Sequence, residues 1–157
     1  MSLGLSLDVL DNVHYAAVAV HHYADHLVAE RRSDGIIRGA VGGHPDTAED
    51  SALSIIVCPL LRGRIPCIVN EVTTLITPGK SVDVVVTEYG IAVNPSRPEI
   101  AERLRAAGLK LVSLEDLRDR ALSIIGTPAP LPFGDKVVGV VLGRDGSVLD
   151  VIKNIRN

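Results

Sequence analysis

The sequence predicts an α/β fold: a mostly parallel sheet with flanking helices and a C-terminal β-hairpin, preceded by an N-terminal helix. Three observations carry that expectation. Short aliphatic runs such as 53–58 and 82–87 alternate with segments of helical periodicity such as 98–107 and 114–125, the texture of strands and helices in turn. The 46% hydrophobic content is mostly Val, Ile, Leu and Ala, with one Phe, three Tyr and no Trp, which suits buried parallel strands more than a sandwich or a base-stacking surface. A chain of 157 residues can bury roughly 70% of the surface its unfolded form exposes, enough for one real core.

In chain order, Leu10, Val13, Ala17, Val20, Ala24 and Leu27 recur at spacings of three and four, which predicts a helix over about 7–30. Residues 1–32 are therefore read as an N-terminal helical segment and 33–157 as the α/β domain. Arg31 and Arg32 suit the end of that helix, and Ile36-Ile37 reads as a short strand after the break at Ser33-Asp34-Gly35. Leu53–Cys58 is a buried strand that Pro59 ends. Pro66–Val69 and Val72–Ile76 read as two more, the latter rich in β-branched residues. Thr77-Pro78-Gly79-Lys80 has the residues of a type II turn. Val82–Thr87 is the cleanest strand, with Gly90 soon after it.

Pro98–Ala107 is a helix with Pro near its start and Gly108 past its end. Leu109–Val112 is a short strand. Ser113 caps a second helix, with Glu115 and Asp116 in its first turn, running to Ile125 and Gly126. After the extended stretch 127–132, Lys136–Leu142 and Ser147–Ile152 make a hairpin turning at Asp145-Gly146.

Chemistry concentrates in 33–47, where Gly35, Gly39, Gly42 and Gly43 precede His44, Pro45, Asp46 and Thr47. Glycines there let the main chain approach a ligand or take positive φ. Gly42-Gly43 can aim successive N–H groups into one concavity, with His44, Asp46 and Thr47 at its rim, an arrangement suited to an anion or oxyanion. A tight connection explains the same residues equally well.

Several classes are excluded. A net charge of −3 with scattered basic residues leaves no footprint for nucleic acid. No apolar run approaches the ~20 residues a bilayer requires, and no secretory signal is visible at the start, so a cytoplasmic setting is expected. Cys58 and Cys67 sit in apolar runs and read as buried thiols. His22 and His26 have a spacing that metals use, with Asp25 beside them, but a solvated helix face is the preferred reading and no metal is assigned. Arg62 and Arg64, flanking Gly63, could meet a carboxylate or phosphate, and an ordinary place on a subunit surface explains them at least as well.

Three stretches together resemble the C-terminal part of the citrate lyase alpha subunit, in the CoA-transferase superfamily. They are Ser33–Ala48, Pro59–Val69 and Ser81–Pro95, continued by the helix from Arg97 to Gly108 and by Arg144–Val151. The resemblance implies a CoA-transferase fold and transfer of an acyl-carrier thiol from acetate to citrate. The cofactor is then CoA or a CoA-like prosthetic group on a carrier protein, with acyl-carrier and lyase subunits as partners in an oligomer. On it, Gly42, Gly43 and His44 lie next to the thioester and its developing oxyanion, and Gly39 and Asp46 belong to the same substrate- or CoA-binding loop. Thr87, Glu88, Tyr89 and Gly90 lie near the CoA cleft, and Glu88 by itself reads as a solvent-facing or positioning carboxylate.

A complete subunit of that family is about three times as long, so the chain reads as partial. The family's upstream strand carries a Glu that 17–29 lacks, and no residue matches the superfamily's glutamate nucleophile. The catalytic residue is therefore unassigned. A non-catalytic CoA-binding or assembly domain and an acyl-CoA hydrolase remain as alternatives.

Overall fold

The computed structural model describes residues 17–19, 26–27, 30–31, 37–38, 43–72, 74–129 and 132–156. The strands are β1 (Ala17–Ala19), β2 (His26–Leu27), β3 (Glu30–Arg31), β4 (Ile37–Arg38), β5 (Ile55–Val57), β6 (Leu61–Arg62), β7 (Ile65–Pro66), β8 (Ile68–Val69), β9 (Val84–Thr87), β10 (Gly90–Val93), β11 (Phe133–Leu142) and β12 (Val148–Ile155). The helices are α1 (His44–Asp50), α2 (Pro98–Ala106) and α3 (Leu114–Ile125), and a 3-10 turn spans Gly79–Ser81. The α/β expectation holds, with its C-terminal hairpin.

Both larger sheets are built on a parallel pair, and each adds an antiparallel strand. In the order β10-β9-β5, β5 runs parallel to β9 with Ile56 opposite Val85, and β10 returns antiparallel. In the order β2-β1-β8, Val18 lies opposite Ile68 in a parallel pair, and Ala17 opposite Leu27 in an antiparallel one. The aliphatic run Val84-Val85-Val86 is buried or half-buried throughout, as a strand covered on both faces must be.

Strands β1, β2 and the start of β3 overturn the expected helix over 7–30 at every described residue of that stretch. Spacings of three and four among Ala, Val and Leu are compatible with a helix. The backbone of Val18 and Ala19 instead bonds to a strand some fifty residues later, a tertiary pairing that overrides weak local preference.

Three smaller expectations change as well. Residues 72 and 74–76 form no strand; the Leu75 N–H donates 2.7 Å to Asp150 Oδ2 instead of to a ladder. The type II turn is replaced by the 3-10 turn, in which Ser81 N–H donates to Pro78 O and Val82 N–H to Gly79 O. Leu109–Val112 contributes one parallel bridge, Leu111 to Ile91.

One core joins the layers. Leu114, Leu117 and Ala121 share a face of α3 and pack with Ile56, Val85 and Ala92 of the central sheet and with Leu60, Cys67 and Ile68 of the neighbouring segment. Local signals set the limits of α3. The Ser113 hydroxyl accepts the Asp116 N–H while the Asp116 carboxylate accepts the Ser113 N–H, a reciprocal capping box. Gly126 ends the helix at φ 75°, a conformation glycine takes without strain. Among the described residues no helix is long and apolar enough to cross a membrane.

Candidate functional site

The carboxyl ends of the parallel pair β5 and β9 are where α/β folds present ligand-binding loops, and Thr87–Gly90 lies there. Thr87 pairs with Gly90, leaving Glu88-Tyr89 as a two-residue hairpin connection. The Thr87 hydroxyl accepts the Tyr89 N–H at 3.1 Å and donates to Gly90 O at 3.3 Å. Glycine is required at 90 by packing, since a Cβ there would sit 2.5 Å from Val112 Cγ2. The Tyr89 ring is half exposed, with the Arg120 guanidinium 4.9 Å from its centroid, a cation–π contact.

Glu88 ties this turn to the loop that follows β5. Both its carboxylate oxygens accept the Leu60 N–H, at 3.1 and 2.9 Å, while Leu60 O accepts the Cys67 N–H. The segment so held is the β6–β7 hairpin, which turns through Gly63 at φ 60° and carries Arg62 and Arg64. Arg62 is half-buried and Arg64 exposed.

Beneath them lie both thiols, buried as expected. Burial pushes Cys58 up to about 12, with Cys67 and Glu88 adding to the rise and Arg62 opposing it. Cys67 is raised for the same first reason, again against Arg62. Both shifts favour the protonated thiol near neutrality.

His44 and Asp46 occupy the other end of the sheet. Gly43 N-caps α1 at φ −89°, and Pro45 and Asp46 fill its first turn, as that position favours. Gly43 therefore makes no use of positive φ, and a Cβ there would meet nothing nearer than Thr47 Oγ1 at 4.0 Å. His44 Nδ1 lies 3.0 Å from Oγ1 of the buried Thr77, and burial holds the ring below its ordinary 6.5. Asp46 is exposed. It lines an open cleft of about 340 Å³ with Glu49, Lys80, Ser81, Arg144 and Asp145. Gly39 and Gly42 lie outside the described residues, as do His22 and the side chain of His26.

The structure thus brings Thr87, Glu88, Tyr89 and Gly90 together with Arg62, but not with His44 and Asp46. Thr77, which holds His44, and the 3-10 turn just after it lead into β9, and Glu88-Tyr89 leaves it, so the length of that strand separates the groups. Two features go beyond the residues singled out from sequence. Arg120 on Tyr89 left no local signal. Asp83 did leave one, since a carboxylate inside the run 82–87 needs a partner when buried. It accepts the Ser54 N–H at 2.8 Å and pairs with Arg97 at 2.7 Å.

The family model described as citrate lyase, alpha subunit (CitF), matches residues 1–155. The chain belongs to the citrate lyase alpha subunit family. It is 56% identical over 155 residues to the citrate lyase alpha chain of Escherichia coli (strain K12), covering 99% of this chain and 30% of that one. Against the alpha chain of Haemophilus influenzae the identity is 45%, over 99% of this chain and 31% of the relative. A solved structure of the citrate lyase alpha subunit of Streptococcus mutans, in complex with citrate, superposes with a TM-score of 0.81 at 44% identity. It is matched over 90% of this chain and 27% of its own. The chain therefore spans less than a third of the length of these alpha chains.

Proposed function

We propose that this chain is one portion of a citrate CoA-transferase, which moves an acyl-carrier thiol from acetate to citrate, and that it works only with the rest of an alpha chain. The observation that carries this reading is the family match across 1–155 by a chain spanning only 30% of its Escherichia coli relative. The ligand is then the thioester of CoA or of a CoA-like prosthetic group on a carrier protein, with citrate as acceptor. Carrier and lyase subunits are the partners, in a cytoplasmic oligomer.

Thr87–Gly90 supplies one contact region at the carboxyl end of β9, and Arg62 and Arg64 offer guanidinium groups suited to a carboxylate or phosphate. Gly39, Gly42, Gly43, His44 and Asp46 supply a second. A CoA-like group is extended, so its thioester and nucleotide ends need not meet the same end of the sheet. The nucleophile belongs to the remaining portion.

Acetyl-CoA and citrate are incubated with the chain alone and with the remainder of the alpha chain. Citrate-dependent acetate release only in the combined sample is the expected result. Release without citrate would make it a hydrolase, and no release or CoA binding in either sample would overturn both enzymatic readings. Gly43→Val, for which the backbone has room, is expected to abolish thioester binding while the thermal midpoint is kept.

A further inference from the structure

We propose that the outer face of the β11–β12 hairpin is the docking surface for the portion of the alpha chain that this chain lacks. The proposal rests on the reading above that such a portion is required. Along β11, Val138, Val140 and Leu142 are 58%, 52% and 56% exposed, and Val148, paired across from Leu142, is 61% exposed. The intervening Val141 is only 4% exposed, so toward the hairpin tip the ribbon has one seated face and one bare one, while beyond the register shift between Val137 and Gly139 the Val137 side chain is 50% exposed as well. The seated face is anchored where Asp150 Oδ2 accepts the Leu75 N–H, and the tip is tied down by the Arg144–Asp50 ion pair.

Among the described residues, β11 and β12 pair with each other and with no further strand. A bare two-stranded ribbon is marginal in water. A contiguous aliphatic stripe of this kind marks an interaction surface rather than ordinary exposure. The occupant follows from length: relatives that match this chain from end to end carry more than twice as much additional polypeptide, and that polypeptide must be accommodated against this portion. A stripe of Val and Leu suits a permanent, desolvated contact of that kind.

The test co-expresses this chain with the tagged remainder of the alpha chain and measures co-purification and affinity. Val140→Lys combined with Leu142→Lys is expected to weaken association by roughly tenfold or more, because two charges are forced into a desolvated contact. The thermal midpoint of the isolated chain should stay unchanged, since both sites face water. Ile124→Lys, also exposed but on α3, is the control and should leave association intact.

Association unaffected by the double substitution overturns the proposal, as does failure of the unsubstituted pair to associate. So does a self-associated chain that the substitutions make monomeric while its affinity for the remainder is kept. The same mixtures are assayed for citrate-dependent acetate release. Association without transfer defeats the enzymatic reading and leaves the docking surface standing, whereas transfer indifferent to the substitutions defeats the docking surface alone.

Discussion

Both carboxylate oxygens of Glu88 accept the backbone N–H of Leu60, at 3.1 and 2.9 Å, across 28 residues of chain. Leu60 is completely buried, so this donor has no water to fall back on. The side chain is thus a latch between the β9–β10 turn and the arginine-bearing hairpin. Glu88→Ala is expected to cost about 1–2 kcal/mol, the range for a buried donor left unpaired. Glu88→Gln should recover most of that, since an amide oxygen can still accept. Urea unfolding decides it: equal midpoints for the alanine variant and the parent would show that the latch holds nothing.

Asp83 is the buried counterpart at the start of β9. It is 4% exposed and holds both the Ser54 N–H and Arg97. Asp83→Ala should lose about 2–3 kcal/mol, because it strands a buried donor and an ion-pair partner together. Arg97→Ala should lose less, roughly 1 kcal/mol, since its side chain is 37% exposed and water screens the pair. A larger loss from the arginine change than from the aspartate change, measured by chemical denaturation, would contradict this ordering.

Gly90 faces Val112, and a methyl group added to its Cα would come within 2.5 Å of Val112 Cγ2. Gly90→Ala should destabilise by about 1–3 kcal/mol through overpacking. Combining it with Val112→Ala should return part of that loss, giving non-additive behaviour in a double-mutant cycle. Strict additivity of the two changes in thermal or urea unfolding would place the strain elsewhere.

His44 makes stability depend on pH. Burial lowers its folded value below 6.5, so between the two values the unfolded chain binds more protons than the folded one. Its contribution is therefore complete above about pH 6.5 and declines as pH falls below it. His44→Gln should flatten that decline while keeping a hydrogen-bonding group for the Thr77 hydroxyl. Unfolding free energies compared at about pH 7.5 and about pH 5.5 test this, and an identical loss in parent and variant would assign the dependence to other groups.

Much of the fold is legible where its causes are local. Ser113 and Asp116 announce the start of α3 and Gly126 its end, and the first two form their reciprocal bonds within three residues. The hairpin turn at Asp145-Gly146 is equally visible, and the structure closes it with Gly146 N–H donating to Gly143 O. The stretch 7–30 defeats the same reasoning, because its strands exist through partners such as Ile68 that no local window contains. The strand expected over 72–76 fails at its described residues for a related reason: β-branched side chains describe a preference, while Asp150 takes the Leu75 amide that a ladder would have used.

The candidate site divides along the same line. The residue types that could bind an acyl thioester, from the glycines and His44 to Thr87–Gly90, and their family resemblance were readable from sequence alone. So was the burial of Cys58 and Cys67. That Glu88 latches Leu60, that Arg120 covers Tyr89, and that His44 and Glu88 lie at opposite ends of β9 were decided only by the tertiary structure. Caps, turns and alternation act over a few residues, whereas the direction of a strand and the neighbours at its two ends are set by pairing between segments far apart in the chain.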